Sequence, residues 1–295
     1  MRIVSLLPSA TEIVYTLGLE EQLAGVTFEC DEPARARLDK TVVVGGLDTA
    51  GLTPGQVDAL VRERVASGAS LYVLDEDALH ALSPDLVIGQ DLCDVCALPA
   101  QEITSTLARR SAGARLLTLD PHRLDDVLRC IESVGAAAGV DDRAMALTSA
   151  LRARLDRVGA LVRGREQPRV AMLEWIDPPF APGHWVPDLV TAAGGRSVLG
   201  SAGDRSMQID WATVGSSAPD AIVVAPCGYR VADAAAQARS VLHHLPAGVP
   251  VWALDADGLV VRPGPRLVDG VEALAGVLHP DVVPVPASSA AVRLR

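Results

Sequence analysis

Short runs of β-branched and aliphatic residues alternate along the chain with longer stretches whose apolar positions recur every three or four residues. That alternation predicts successive βα units around mostly parallel sheets. Strands are expected at residues 2–6, 23–27, 41–44, 71–74, 86–88 and 115–119 in the first half, and at 170–173, 221–225 and 249–253 in the second. Ser9-Ala10-Thr11-Glu12 reads as a capping box, with Ser9 accepting from early helix amides and Glu12 reaching back, so a helix is expected directly after the first strand. Thr53-Pro54 marks a second helix start, a capping residue followed by proline at the first helical position.

Between residues 121 and 162 no strand pattern occurs, and Leu124, Val127, Leu128, Ile131, Val134, Leu147, Leu151, Leu155 and Val158 keep helical spacing. One long helix is expected there, with Gly135 and Gly139 as the places for a kink. Helices are also expected near 185–193, 232–242 and 265–278. The organisation is therefore α/β: two lobes with mostly parallel sheets, residues 1–120 and 165–295, joined by one long rigid helix over 121–164. The tail from 285 to 295 is expected to be loosely held, and no internal repeat is present.

Composition narrows the function. The chain has 295 residues, 49% of them apolar, enough to build a core and to exclude disorder. No apolar run approaches the roughly 20 residues of a membrane span. Twenty-six basic residues against 37 acidic ones give a net charge of -11, and Lys40 is the one lysine, so no basic stripe exists to meet a nucleic acid backbone. Met1-Arg2 is followed by only Ile3 to Leu7 before Pro8, shorter than the roughly 7 to 15 apolar residues of a secretory core. As the chain begins, a cytoplasmic monomer is expected; a start further upstream would add a leader and place it outside.

In parallel sheets ligands bind beyond the carboxyl ends of the strands. The residues following the expected strands are Phe28-Glu29-Cys30-Asp31, Gln90-Asp91-Leu92-Cys93-Asp94-Val95-Cys96, Glu174-Trp175 with the stiff stretch to Gly183-His184-Trp185-Val186-Pro187, and Pro226-Cys227-Gly228-Tyr229. Four of five cysteines thus fall in loops at strand ends, whereas a packing cysteine prefers element interiors, as Cys130 does. Cys30, Cys93, Cys96, Cys227 and His184 form a candidate ligand set for a metal, or for the metal of a bound chelate. The alternatives are packing cysteines, a redox pair at Cys93 and Cys96, a salt-bridged Glu174 and a capping His184. With aromatics at 3%, Trp175 and Trp185 in a loop carry extra weight as a shaped wall. No G-x-S-x-G, H-E-x-x-H, Walker or G-x-G-x-x-G motif occurs in a suitable place, so binding is expected before catalysis, and any chemistry has to be assembled from separate loops.

Arg2-Ile3-Val4-Ser5-Leu6-Leu7-Pro8-Ser9-Ala10-Thr11-Glu12, Ser83-Pro84-Asp85-Leu86-Val87-Ile88, Ala218-Pro219-Asp220 and Arg262-Pro263-Gly264-Pro265-Arg266-Leu267-Val268 resemble the class III periplasmic substrate-binding proteins of cobalamin and iron-siderophore importers. The stretches at 29–31, 90–96, 183–187 and 226–228 resemble a subgroup described as cobalamin-binding. The resemblance covers nearly the whole chain. It implies a binding protein that holds cobalamin, a related corrinoid or another metal chelate in a cleft between two lobes, with an ABC permease as partner if the chain is exported. It further implies that Phe28, Trp175, Trp185 and Tyr229 grip the ligand while Glu174 and Asp91 orient its polar groups, with Glu29 and His184 beside them. The other reading of the same residues is a cytoplasmic metalloprotein or metalloenzyme that binds iron or zinc through the cysteines and His184, with Glu29 or Glu174 as base.

Overall fold

The computed structural model describes residues 1–92, 97–110 and 113–295, which form two compact units, Met1–Pro121 with Asp126–Thr148 and His122–Asp125 with Ser149–Arg295. In the first unit, strands β1 (Ile3–Ser5), β2 (Leu23–Thr27), β3 (Thr41–Gly46), β4 (Tyr72–Leu74), β5 (Leu86–Gln90) and β6 (Arg115–Leu119) alternate with α1 (Pro8–Thr16), α2 (Ala36–Asp39), α3 (Pro54–Ala66), α4 (Glu76–Leu82) and α5 (Ala100–Arg110). The sheet order is β4-β3-β2-β1-β5-β6, parallel throughout except for β4, which runs antiparallel on β3. Val4 and Val87 are register partners on β1 and β5, and they join Val43, Leu79 and Ile103 in the core. The central strands are apolar on both faces, as parallel strands covered by helices require.

The helix after β1 starts differently from expectation. Its cap is Leu7, in extended backbone and without a side-chain cap, and Pro8 takes the first helical position. Proline has no amide to satisfy and its fixed φ already suits a helix. The start therefore moves ahead of Ser9, and Ser9 and Glu12 are buried in the helix. At α3 the expected box is present: the Gln56 amide donates to Thr53 Oγ1 (3.3 Å) and the Thr53 amide donates to Gln56 Oε1 (2.8 Å).

The segment expected as one helix is two, α6 (Leu124–Ala138) and α7 (Asp141–Val162). Gly139 adopts φ +72°, its amide donates to Ala136 O (3.3 Å) and the Val140 amide to Gly135 O (2.8 Å), the paired bonds that close a helix through a left-handed glycine. A Cβ on Gly135 would stand 2.3 Å from that of Ala144, so the two helices approach at a glycine. The unit boundaries fall inside both helices, after Asp125 in α6 and after Thr148 in α7.

The second unit contains β7 (Arg169–Leu173), β8 (Trp175–Ile176), β9 (Pro179–Ala181), α8 (Val186–Ala192), β10 (Arg196–Ser197), β11 (Met207–Gln208), α9 (Trp211–Ser216), β12 (Ala221–Val224), α10 (Val231–Ser240), β13 (Val251–Leu254), α11 (Ala256–Leu259), α12 (Leu267–Leu278) and β14 (Ala291–Arg293). One sheet has the order β10-β7-β12-β13-β14, parallel except for β14, and a small antiparallel sheet has the order β11-β9-β8. The tail is not loose: β14 pairs with β13, and the Arg295 guanidinium donates to Pro246 O (2.6 Å) and Val249 O (3.1 Å). An edge strand offers unpaired backbone groups, and the backbone of Ala291–Arg293 pairs with them. Among the described residues no helix is long and apolar enough to cross a membrane.

Candidate functional site

In the second unit β7 lies between β10 and β12, and the chain leaves β7 towards β10 but leaves β12 towards β13, so the two connections diverge and open a crevice beyond the carboxyl ends of these strands. Glu174 stands at that point. Its amide donates to Phe180 O (3.2 Å), and its carbonyl accepts from the Cys227 amide (3.0 Å) of the loop after β12. Its carboxyl is buried, with Oε1 accepting from the Gly183 amide (3.2 Å) and Oε2 from the Ser206 hydroxyl. Burial pushes the carboxyl up to about 7 from its ordinary 4.5, against the opposing pull of the Ser206 and Gly183 hydrogen bonds. Among the described residues Glu174 has no salt-bridge partner; it ties the end of β7 to two loops.

Those loops touch through backbone. A Cβ on Gly183 would meet Ser206 N at 2.2 Å, and one on Gly200 would meet Pro182 O at 1.9 Å. His184, at φ +49°, bonds across the same seam, its amide donating to Asp204 O (2.6 Å) and its carbonyl accepting from the Gly203 amide (2.9 Å). Its ring lies 6.0 Å from that of His122 and 5.9 Å from that of Trp185.

The aromatic candidates fall into two roles. Trp175 and Tyr229 are half-buried and face each other across the ends of β7 and β12, with ring centroids 5.8 Å apart and a tilt of 49°. Trp185 is buried, and its indole N–H donates to Val260 O (2.8 Å) at the end of α11. Cys227 is exposed beside Tyr229 in the same loop. Behind this face lies a group of charges absent from the sequence expectations: Arg230, Asp255, Asp257 and Arg262. Ser206 was missed as well. The aspartates had a signal, since Asp255-Ala256-Asp257-Gly258 follows a strand just as the other candidate loops do; Ser206 had none.

In the first unit the corresponding crevice flanks β1, between β2 and β5. Cys30 is wholly buried there. Its sulfur is hydrogen-bonded with Thr11 Oγ1 (3.0 Å) and Thr27 Oγ1 (3.3 Å), and Thr11 in turn donates to Ser5 Oγ (2.9 Å). The thiol is thus directed into a hydroxyl cluster under β1 and β2. Phe28 is half-buried, its ring close enough to Gly46 that a Cβ there would stand 2.3 Å away. Glu29 is half-buried and Asp91 exposed. Cys93 and Cys96 lie outside the described residues, and Cys130 is buried in α6 with its thiol pushed up to about 11 by burial. Among the described residues no group of three or more His, Cys, Asp or Glu side chains is arranged to hold a metal ion.

The chain matches the family model described as "Periplasmic binding protein" over residues 3–249. It belongs to that family of binding proteins. It is 26% identical over 298 residues to the uncharacterized ABC transporter substrate-binding lipoprotein YvrC of Bacillus subtilis (strain 168), covering 95% of this chain and 80% of the relative. Among solved structures it is similar to the periplasmic vitamin B12 binding protein BtuF of Vibrio cholerae, with 24% identity, a TM-score of 0.68 and coverage of 94% and 96% of the two chains. A periplasmic heme binding protein from Pseudomonas aeruginosa gives 22% identity, a TM-score of 0.71 and coverage of 98% and 96%.

Proposed function

We propose that this protein is the substrate-binding component of an ABC importer and that its substrate is a metal chelate of the tetrapyrrole kind, a corrinoid before a heme. The observation that carries the reading is the Trp175–Tyr229 pair, two half-buried aromatic rings at the diverging carboxyl ends of β7 and β12 in a chain with very few aromatics. Such rings offer large apolar area at low entropic cost to a flat or bulky ligand. Proteins of the same fold that bind vitamin B12 or heme support the ligand class. The partner is a permease, and the work is done outside the cytoplasmic membrane.

Titration of the purified protein with cyanocobalamin and with hemin, followed by ligand absorbance and tryptophan quenching, tests the reading. Saturable binding at micromolar ligand or below, weakened about tenfold or more in Trp175→Ala, is expected. Absence of any spectral change or quenching with both probes would overturn it. Metal analysis of the protein as isolated checks the other chemistry: stoichiometric iron or zinc without a tetrapyrrole also counts against it.

A further inference from the structure

Helix α11 is a short element wedged between β13 and α12, and two of the candidate ligand residues are fastened to it. The Asp257 amide donates to Tyr229 O (3.2 Å), and Val260, which closes the helix, accepts from the Trp185 indole (2.8 Å). The helix is anchored at both ends. Asp255 caps it by accepting from the Gly258 amide (3.0 Å), and a Cβ on Gly270 of α12 would meet Leu259 O at 2.0 Å. Two arginines then grip its acidic side: Arg262 Nη2 lies 2.8 Å from Asp257 Oδ1, Arg230 Nε 3.3 Å from Asp257 Oδ2, and Arg230 Nη1 3.5 Å from Asp255 Oδ2. Asp257 and Arg262 are each only 11% exposed, so their attraction is poorly screened and losing one member leaves a charge in a dry place. Arg230 follows Tyr229 in sequence, so the tyrosine is held through its own carbonyl and through the next residue.

We propose that Asp257 is a positioning residue for the ligand face of the second unit, holding Tyr229 against Trp175, and Trp185 behind them, by locking α11 between Arg230 and Arg262. The proposal rests on the reading that this face meets the ligand. Asp257 acts through the Tyr229 carbonyl and through the helix that holds Trp185, as outlying groups orient the contact residues of other sites.

The test uses Asp257→Asn, which keeps the shape and removes the charge, Asp257→Glu as the conservative rescue, and Arg262→Lys as a milder perturbation from the other side. Affinity for cyanocobalamin is expected to fall about tenfold in Asp257→Asn, to recover most of that in Asp257→Glu, and to fall less in Arg262→Lys. In a cycle with Tyr229→Ala the two losses are expected not to add, because both act through one contact. A merely structural role would leave the losses additive. Near-ultraviolet circular dichroism of the unliganded protein supplies a second readout, in which Asp257→Asn is expected to alter the aromatic signal while the far-ultraviolet spectrum stays unchanged. Additive losses, or unchanged affinity, overturn the proposal. If wild type binds neither cyanocobalamin nor hemin, the ligand reading fails by itself, and the dichroism still decides: an unaltered aromatic signal in Asp257→Asn overturns the positioning role, and a changed one upholds it.

Discussion

Glu174 accepts a hydrogen bond from the hydroxyl of Ser206, 32 residues further along the chain, inside a seam where the backbone of Gly183 also donates to the same carboxyl. One buried acid thereby joins the end of β7, the loop leading to Trp185 and the loop leading to β11. Its charge state sets how well those three hold together, because two donors compensate an ionised carboxylate in a dry setting incompletely.

The consequence is a stability that falls as pH rises. The carboxyl is held up to about 7 in the folded chain against an ordinary value of 4.5, so between those values the folded state keeps a proton that the unfolded state has released. The stabilisation is complete below about pH 4.5 and is lost as pH rises through about 7, by at most on the order of 3 kcal/mol. Urea unfolding of wild type and Glu174→Gln across this window is expected to give a difference between them that shrinks or reverses in sign towards higher pH. Parallel curves would show that Glu174 does not titrate there. Ser206→Ala removes a bond that favours the ionised form and is expected to move the midpoint of the wild-type change upward.

Two glycines of the site separate close packing from backbone strain. Gly183→Ala drives a methyl into Ser206 N and Asp204 O at 2.2 and 2.7 Å, backbone atoms that cannot rotate away. Gly228→Ala meets nothing within 4 Å, but its φ of +80° disfavours any side chain. The first substitution is expected to cost roughly 3 kcal/mol or more, the second about 1 kcal/mol. Equal losses in thermal unfolding would mean that the seam between the two loops relaxes.

Much of this was legible in the chain. The β-branched runs located nine principal strands, because parallel strands covered on both faces read as continuous apolar stretches. The loops that follow them contained Glu174, Trp175 and Tyr229, which share one strand-end region of the second unit. What escaped was tertiary. Gly139 was visible as a weak point, but a turn that closes one helix and opens another depends on how Gly135 meets Ala144. The tail looked featureless until β13 offered it an edge. Ser206 lies in a polar loop with nothing local to distinguish it, and the grip of Arg230 and Arg262 on Asp257 joins residues whose nearness only the fold creates.

The cysteines should separate by reactivity. Cys227 is exposed, while Cys30 and Cys130 are buried and the Cys130 thiol is held near 11 by burial, so it remains protonated at neutral pH. In a Cys93→Ser, Cys96→Ser background, a disulfide reagent is expected to titrate a single thiol in the native protein at neutral pH. Cys30 and Cys130 should follow only on unfolding. Loss of the fast phase in Cys227→Ser assigns it; a fast phase that survives would require Cys30 to open from its contacts with Thr11 and Thr27.

The two loop tryptophans should divide stability from binding. Trp185 is 6% exposed and spends its indole N–H on Val260 O, so Trp185→Phe keeps most of the apolar volume but removes the donor from a buried carbonyl. A loss of about 1–2 kcal/mol in unfolding free energy is expected, the usual cost of such a deletion. Trp175 is half-buried, donates to Asp177 O (3.1 Å) in the adjoining turn and shows a ring face beside Tyr229. Trp175→Phe is expected to cost under about 1 kcal/mol of stability, because a ring is kept against Tyr229 and the lost bond is exposed. Its cost should instead be read in cyanocobalamin titration, as a several-fold weaker affinity. Measuring both quantities on both variants checks the division. If Trp185→Phe lowers affinity at unchanged stability, the buried indole is part of the contact surface and α11 is not its reason for being there.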